Sequence, residues 1–276
     1  MDNLAKLQRI EADILKTVSD ICEQQGIQYY LSSGTLLGAV RHQGFIPWDD
    51  DIDIMLTRPE YNRFLKEVGE KLPPYMELVH YTSGDTVPFC QAKVVDKRYQ
   101  VMRQVFSDIR PYDVWIDVFP LDAVPQGRVA FFAHKAALKF HYILVKLARL
   151  NLHGNNLENR STMEKTILKL NSKIHFSRLF RLDRRIAALD RCLERCSIAN
   201  NKQCINFHGE YKFREMFPIQ WLGQGKSLQF EDEWYRAPAQ SEKYLTTLYH
   251  DFMQLPPEEQ RVCKHSVEIM AGEDRL

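Results

Sequence analysis

The sequence lacks a membrane-spanning stretch. No run reaches the ~18 uncharged apolar residues that a spanning helix needs. The most apolar segment, 131–150, is broken by His134, Lys135, Lys139, His141 and Lys146. A basic start followed by an apolar core is also missing. Residues 1–6 are polar and lead directly into a helical pattern, so no secretory signal is read and a cytoplasmic location is expected. Cysteine is sparse: six in 276 residues do not make a disulfide framework in a chain of this length and location. An excess of charge is absent too, with 37 Lys and Arg against 36 Asp and Glu, so total charge favours no particular partner. There is no internal repeat and no low-complexity tract. What remains is an ordinary globular composition, 45% apolar and 26% charged. The length suits one large domain, or a domain with an insertion, with a sizeable core.

Leu4, Leu7, Ile10, Ile14, Leu15, Val18 and Ile21 recur every three or four residues, which predicts one apolar helix face. Gly26 stands just beyond as a stop. Residues 27–31 predict a short strand, Ser32-Ser33-Gly34-Thr35 a small-residue turn, and 36–41 a short helix. Gln43-Gly44 and Pro47 mark a loop. Residues 51–56 then alternate acid and apolar side chains, the period of a strand. Pro59 opens a helix at a position where proline is tolerated. Strand-like runs at 76–81, 88–95, 100–106 and 114–119 make the first portion mixed α/β. Residues 128–195 differ, with fifteen Lys or Arg against five Asp or Glu and mostly helical periodicity. The tail from 206 has aromatic and proline-rich segments and predicts a helix after Pro256-Pro257.

Chemistry concentrates in Trp48-Asp49-Asp50-Asp51-Ile52-Asp53-Ile54. On a strand, residues i and i+2 share a face, so Asp51 and Asp53 are expected side by side, with Ile52 and Ile54 turned to the core. Asp49 joins that face if the strand begins early. Adjacent carboxylates repel, which raises a pKa unless a cation lies between them. Hard oxygen ligands of this kind suit Mg2+ or Mn2+. A third acid, Asp117, sits in the apolar run Trp115-Ile116-Asp117-Val118-Phe119; a neighbouring strand would bring it to the pair. The alternative is an acidic turn that is merely solvated. Upstream, Ser33, Gly34 and Thr35 lie between strand and helix start, where backbone N–H groups bind phosphate. The same turn also reads as a simple helix cap.

The run Ser33-Gly34-Thr35-Leu36-Leu37-Gly38-Ala39-Val40-Arg41-His42, with Phe45-Ile46-Pro47-Trp48-Asp49-Asp50-Asp51-Ile52-Asp53, resembles the LicD family, which includes the fukutin-related proteins. Ile116-Asp117-Val118-Phe119-Pro120-Leu121-Asp122 is similar to the family's third-acid segment. Phe230-Glu231, Pro238, Tyr244-Leu245, Tyr249 and Leu255-Pro256-Pro257 are similar to its C-terminal block. Two positions depart from the pattern: Asp232 and His250 stand where glycine is expected. The resemblance implies an α/β (α+β) nucleotidyltransferase-like mixed sheet with inserted or appended helices. Residues 1–125 would be the catalytic core, 126–205 a basic helical insertion, and 206–276 a segment completing the same domain.

The resemblance also implies transfer of phosphocholine from CDP-choline to a sugar hydroxyl of a teichoic acid or lipopolysaccharide precursor, with release of CMP. Asp51 and Asp53 would hold Mg2+ (or Mn2+) on the diphosphate. Asp117 would complete the site or take the acceptor's proton, and Ser33, Gly34 and Thr35 would cradle phosphate. Such a transfer needs charge neutralisation and positioning more than covalent chemistry. Arg41 and Lys93 are candidate cations for the departing phosphate, or else a structural ion-pair partner and a snorkelling lysine. A quaternary ammonium favours aromatic faces, which singles out Tyr112 and Trp115 ahead of Trp48 and Trp234 as binding candidates or as packing residues. Rival readings are nucleotidyl or polyol-phosphate transfer on the same fold, and a non-catalytic membrane-associated scaffold.

Phe132, Ala136, Phe140, Ile143, Leu144 and Leu147, interleaved with Lys135, Lys139, Lys146 and Arg149, predict a basic amphipathic helix. It reads either as a core helix with a solvated face or as one lying on an anionic membrane, where a lipid-linked glycan would be presented. No nucleic-acid motif accompanies the charge, so no nucleic-acid partner is expected. Cys192, Cys196, Cys204 and His208 have spacings that either ligate zinc or bury thiols. Cys22, Cys90 and Cys263 read as packing residues, and His265 as a structural histidine.

Overall fold

The computed structural model describes residues 3–83, 89–105, 108–150, 181–263 and 268–271. These form six α-helices and a curled mixed sheet, the expected α/β class. The middle of the basic segment, 151–180, lies outside the described residues, as does His265.

Helix α1, Asn3–Gln25, buries Leu7, Ile14, Leu15, Val18 and Cys22 completely. Each buried aliphatic side chain contributes about 1.5–3 kcal/mol relative to exposure. Gly26 ends the helix with φ +62°, a backbone that glycine adopts without strain. Strand β1 is Tyr30–Leu31, shorter than expected from the sequence. Helix α2 spans Ser33–His42, strand β2 Asp53–Thr57 and helix α3 Arg58–Glu67, with proline in its first turn.

Strand β3 is Met76–Val79. The expected separate strands at 88–95 and 100–106 belong to one long strand, β4 (Ala92–Val105), which pairs antiparallel with β5 (Asp108–Val124). The ladder shifts register between Asp96 and Gln100, a bulge that re-aims the strand without ending it. The polar run at the bulge hid this continuity: Arg98 turns back onto Asp96 with a 2.7 Å contact.

Helix α4, Arg128–Ala148, packs against α5, Leu182–Leu193. Strands β6 (Gln203–Ile205) and β7 (Met216–Pro218) extend the sheet beside the end of β5. A separate hairpin, β8 (Lys226–Phe230) and β9 (Glu233–Ala237), precedes α6, Ser241–Tyr249. After Pro256-Pro257 the described chain makes only a 3-10 turn, Glu258–Gln260, not the expected helix; no α-helix follows there among the described residues. Strand β10, Ile269–Ala271, closes the list by pairing with β4.

The main sheet runs β1-β2-β5-β4-β10, and among the described residues only β2 and β5 pair in parallel. One core cluster joins α1, the sheet and the late residues Phe217, Phe230, Tyr235, Tyr244 and Leu248. A smaller one lies between α4, α5 and Phe207.

Candidate active site

Register places the chemistry. Asp53 of β2 is opposite Asp117 of β5, and Asp117 is opposite Lys93 of β4. Side chains at paired positions share a sheet face, so acid, acid and lysine stand in a row across three strands. Their neighbours Ile54, Val118, Ile116 and Val94 turn the other way and are fully buried. The sequence alternation that looked like a single acidic strand is therefore one acid on each of two parallel strands. Asp51 is not on the strand; β2 begins at Asp53, and Asp51 is an exposed residue of the preceding loop.

That loop is shaped by its middle acid. Asp50 is buried and ion-pairs with Arg103, whose guanidinium also donates to the Asp50 carbonyl at 2.7 Å. Asp49 lies against the start of α2. A Cβ on Gly34 would come within 2.6 Å of Asp49 Oδ2, so any larger residue would have to displace that carboxylate. Gly38 makes a second such contact, with the Gly44 carbonyl 2.4 Å from where a Cβ would sit. Ser33, the first residue of α2, has φ 45°, a left-handed conformation that costs a non-glycine residue roughly 1–3 kcal/mol. Ser32 and Thr35 fasten this turn to β2. The Ser32 N–H donates to the Asp53 carbonyl (3.0 Å), and the Asp53 N–H donates to Thr35 Oγ1 (2.8 Å).

The two aspartates differ in surroundings. Asp117 Oδ1 accepts from Lys93 Nζ at 2.8 Å and Gln91 Nε2 at 2.9 Å. Its Oδ2 accepts from Lys93 Nζ at 3.0 Å and Trp115 Nε1 at 2.9 Å. These four contacts occupy the roughly four acceptor positions of a carboxylate. Burial, followed by the charges of Asp51, Asp117, Asp49 and Glu215, pushes the Asp53 carboxyl well above the usual carboxylate range. Burial likewise lowers the Lys93 ammonium, against the pull of Asp117.

Asp51, Asp53, Asp117, Ser33, Gly34 and Arg41 all line one open cleft of about 950 Å³. Thr35, Lys93 and Trp115 stand behind this wall and hold it: Thr35 through Asp53, the other two through Asp117. Tyr112 is not on the cleft; its hydroxyl accepts from Arg110 Nε at 2.7 Å and its ring meets Trp115 edge-on. Trp234 is an exposed residue of the β8–β9 hairpin. Of the aromatic candidates, Trp48 lines the cleft, and the late chain adds Tyr211, Tyr249 and Phe252. Tyr211 and Tyr249 pack edge-on at 5.6 Å. The Phe252 carbonyl fixes Arg41 Nη1 at 2.9 Å.

Among the described residues no three His, Cys, Asp or Glu side chains form a group fit to hold a metal. Cys192 packs in the apolar face of α5, and Cys204 points its thiol at the Phe217 carbonyl. His208 lines the cleft instead, held neutral by burial.

Two supporting acids were not among the site candidates read from the sequence. Glu231, at φ 55°, accepts the Phe45 N–H at 2.9 Å and so anchors the lead-in to the acidic loop. Its signal was the Phe230-Glu231 pair. Glu215 is fully buried and accepts from Tyr244 Oη and from Asn206 Nδ2 at 3.1 Å. Tyr244 in turn touches Ser32 Oγ at 3.0 Å, so a hydrogen-bonded chain runs from Glu215 to the small-residue turn. Nothing local in the sequence marks Glu215.

The acid-bearing segments also match known proteins. Residues 26–159 match the family model described as the LicD/FKTN/FKRP nucleotidyltransferase domain. The chain is 27% identical to the lipopolysaccharide cholinephosphotransferase LicD of Haemophilus influenzae, over 96% of this chain and 97% of that protein. An uncharacterised protein of Rickettsia prowazekii is 54% identical over 35% of this chain and 30% of its own length. The human ribitol 5-phosphate transferase FKRP is 40% identical over 52 residues, 19% of this chain and 9% of its own length. The family model thus falls on the acid-bearing segments, and the similarity to a LicD protein extends along nearly the whole chain.

Proposed function

We propose that this protein is a phosphotransferase that passes phosphocholine from CDP-choline to a hydroxyl of a lipopolysaccharide or teichoic acid precursor, releasing CMP at the cytoplasmic side. The observation that carries the reading is the Asp53–Asp117 register pair opening on a cleft walled by aromatic rings. The full-length similarity to a lipopolysaccharide cholinephosphotransferase supports the choline assignment.

A divalent ion fits the donor set. Mg2+ is commonly held by one or two carboxylates together with substrate phosphates and water, and needs no closed protein cage. Asp53, with its raised proton affinity beside other acids, is the group such an ion would discharge, and Asp51 on the same cleft is its partner. The ion, Mg2+ or Mn2+, would neutralise charge on the diphosphate. Asp117, filled by protein donors, acts by holding Lys93 next to Asp53.

The chain's own groups do the rest. The Ser33–Gly34 turn at the start of α2 presents backbone N–H groups to phosphate, and Arg41, oriented by the Phe252 carbonyl, offers a cation to the leaving CMP. Trp48, Tyr211, Tyr249 and Phe252 provide faces for a quaternary ammonium. Exposed Asp51 is placed to take the proton of an incoming hydroxyl.

The test is CMP release from CDP-choline with Mg2+ and a crude glycolipid acceptor. Asp53→Asn should lower the rate on the order of 100-fold or more, and chelation should do the same to the wild type. Turnover with a nucleotide-activated polyol but not with CDP-choline would retain the family and remove choline. Undiminished turnover by Asp53→Asn would remove the site.

A further inference from the structure

We propose that helix α4 is a docking surface for an anionic lipid bilayer. Its inner face is accounted for: Leu138, Val145 and Ala148 are buried, the first two packed with Ile186, Leu189, Cys192 and Leu193 of α5. Among the described residues its outer face is not. Val129, Phe132, Phe140 and Ile143 are 85%, 60%, 58% and 55% exposed. They are four of the ten exposed large apolar side chains among the described residues, gathered on one helix. Ala133 and Ala136 are exposed between them. The spacing 129, 132, 136, 140, 143 follows steps of three and four, so these residues form one continuous stripe.

The charge beside the stripe selects the occupant. Arg128, Lys135, Lys139 and Lys146 fall together along one flank, and the helix contains no Asp or Glu. Lys135 and Lys146 lay their ammonium groups over the rings of Phe213 and Tyr142, at 5.0 and 5.2 Å, which keeps the cations beside the apolar stripe. A protein partner with a hydrophobic patch gives no reason for an all-cationic border; a surface of acyl chains beneath anionic headgroups does. No described helix is long and apolar enough to cross a membrane. With one face committed to α5, α4 lies in the interface instead of spanning it.

The helix is also next to the cleft. Its Tyr142 packs edge-on against Phe207 at 5.8 Å, and the following residues His208, Gly209, Glu210 and Tyr211 line the cleft wall. Docking through α4 therefore sets the cleft close to the bilayer surface, whichever group the enzyme transfers.

Flotation of the full chain with vesicles tests this. The wild type should float with phosphatidylcholine vesicles containing about one-third phosphatidylglycerol, roughly tenfold less with phosphatidylcholine alone, and less in high salt. The doubly substituted Phe132→Glu/Phe140→Glu chain should lose at least roughly tenfold in binding with an unchanged circular dichroism spectrum and Tm, because both side chains are exposed. Equal binding by wild type and variant, or no binding by the wild type, would overturn the proposal. So would light scattering that shows a wild-type dimer and a monomeric variant, since the stripe would then join two copies of this chain.

Discussion

Glu215 shows how little of a site's support is visible one residue at a time. In the sequence it is an acid between Arg214 and Met216. In the fold it has no solvent exposure and holds Tyr244, which holds Ser32. Burial raises its carboxyl from the ordinary 4.5 to about 7, against the hydrogen bonds from Tyr244 and Asn206. An acid raised in this way binds its proton more tightly folded than unfolded. Its contribution to stability is intact below about pH 4.5 and is lost as pH rises through about 7. The full swing is on the order of 3 kcal/mol. Glu215→Gln keeps an acceptor for Tyr244 and Asn206 but does not titrate. Urea melts at pH 5 and pH 8 should therefore show the variant gaining on the wild type at the higher pH; parallel profiles would mean that Glu215 does not ionise in this window. Gly34 and Gly38 sit in the family run because Asp49 and the Gly44 carbonyl leave no room for a Cβ.

Elements were readable where one face is buried and the period is unbroken, as in α1 and α3. They were misjudged where pairing overrides pattern. The polar residues at the bulge split β4 in the sequence, but the ladder with β5 carries the strand through them. The late helix expected after Pro256-Pro257 is a short turn; α6, ahead of it, supplies the packing residues Tyr244 and Leu248. Arg58 is another case. Beside Pro59 it marks a helix start, yet it is buried and grips Asp122 of β5 through two contacts of 2.6 and 2.7 Å and Asp190 of α5 at 2.9 Å. It thus pins three elements together. Asp122→Ala removes the bidentate partner and leaves the buried guanidinium to Asp190, so it should destabilise by about 3 kcal/mol, read as a lower urea midpoint at constant slope. Pairing Arg58→Met with Asp122→Leu should recover only part of the loss, because buried Asp190 then loses its cation and keeps the Tyr81 hydroxyl.

At the scale of the molecule, the late chain is part of the core. Phe217, Phe230, Tyr235, Tyr244, Leu245 and Leu248 share one buried cluster with α1 and the sheet. We expect a chain shortened to residues 1–205 to lose its near-UV circular dichroism and its cooperative thermal transition. A sharp, native-like melt would instead make the rest an appendage. The fold class and the acid-bearing segments were legible because they are local patterns. The cleft's far wall was not, because Tyr211, Tyr249 and Phe252 reach it only through tertiary packing. The latches on the acidic loop carry a consequence for synthesis. Arg41 waits for Phe252, Ser32 for Tyr244 and Phe45 for Glu231, partners 211, 212 and 186 residues later. At ~5–20 residues per second the ribosome needs roughly ten to forty seconds to cover that span. During that interval the signature motif is already outside while its supports are not yet made. The cleft is therefore completed only once Glu231, Tyr244 and Phe252 have been made, long after the motif they support.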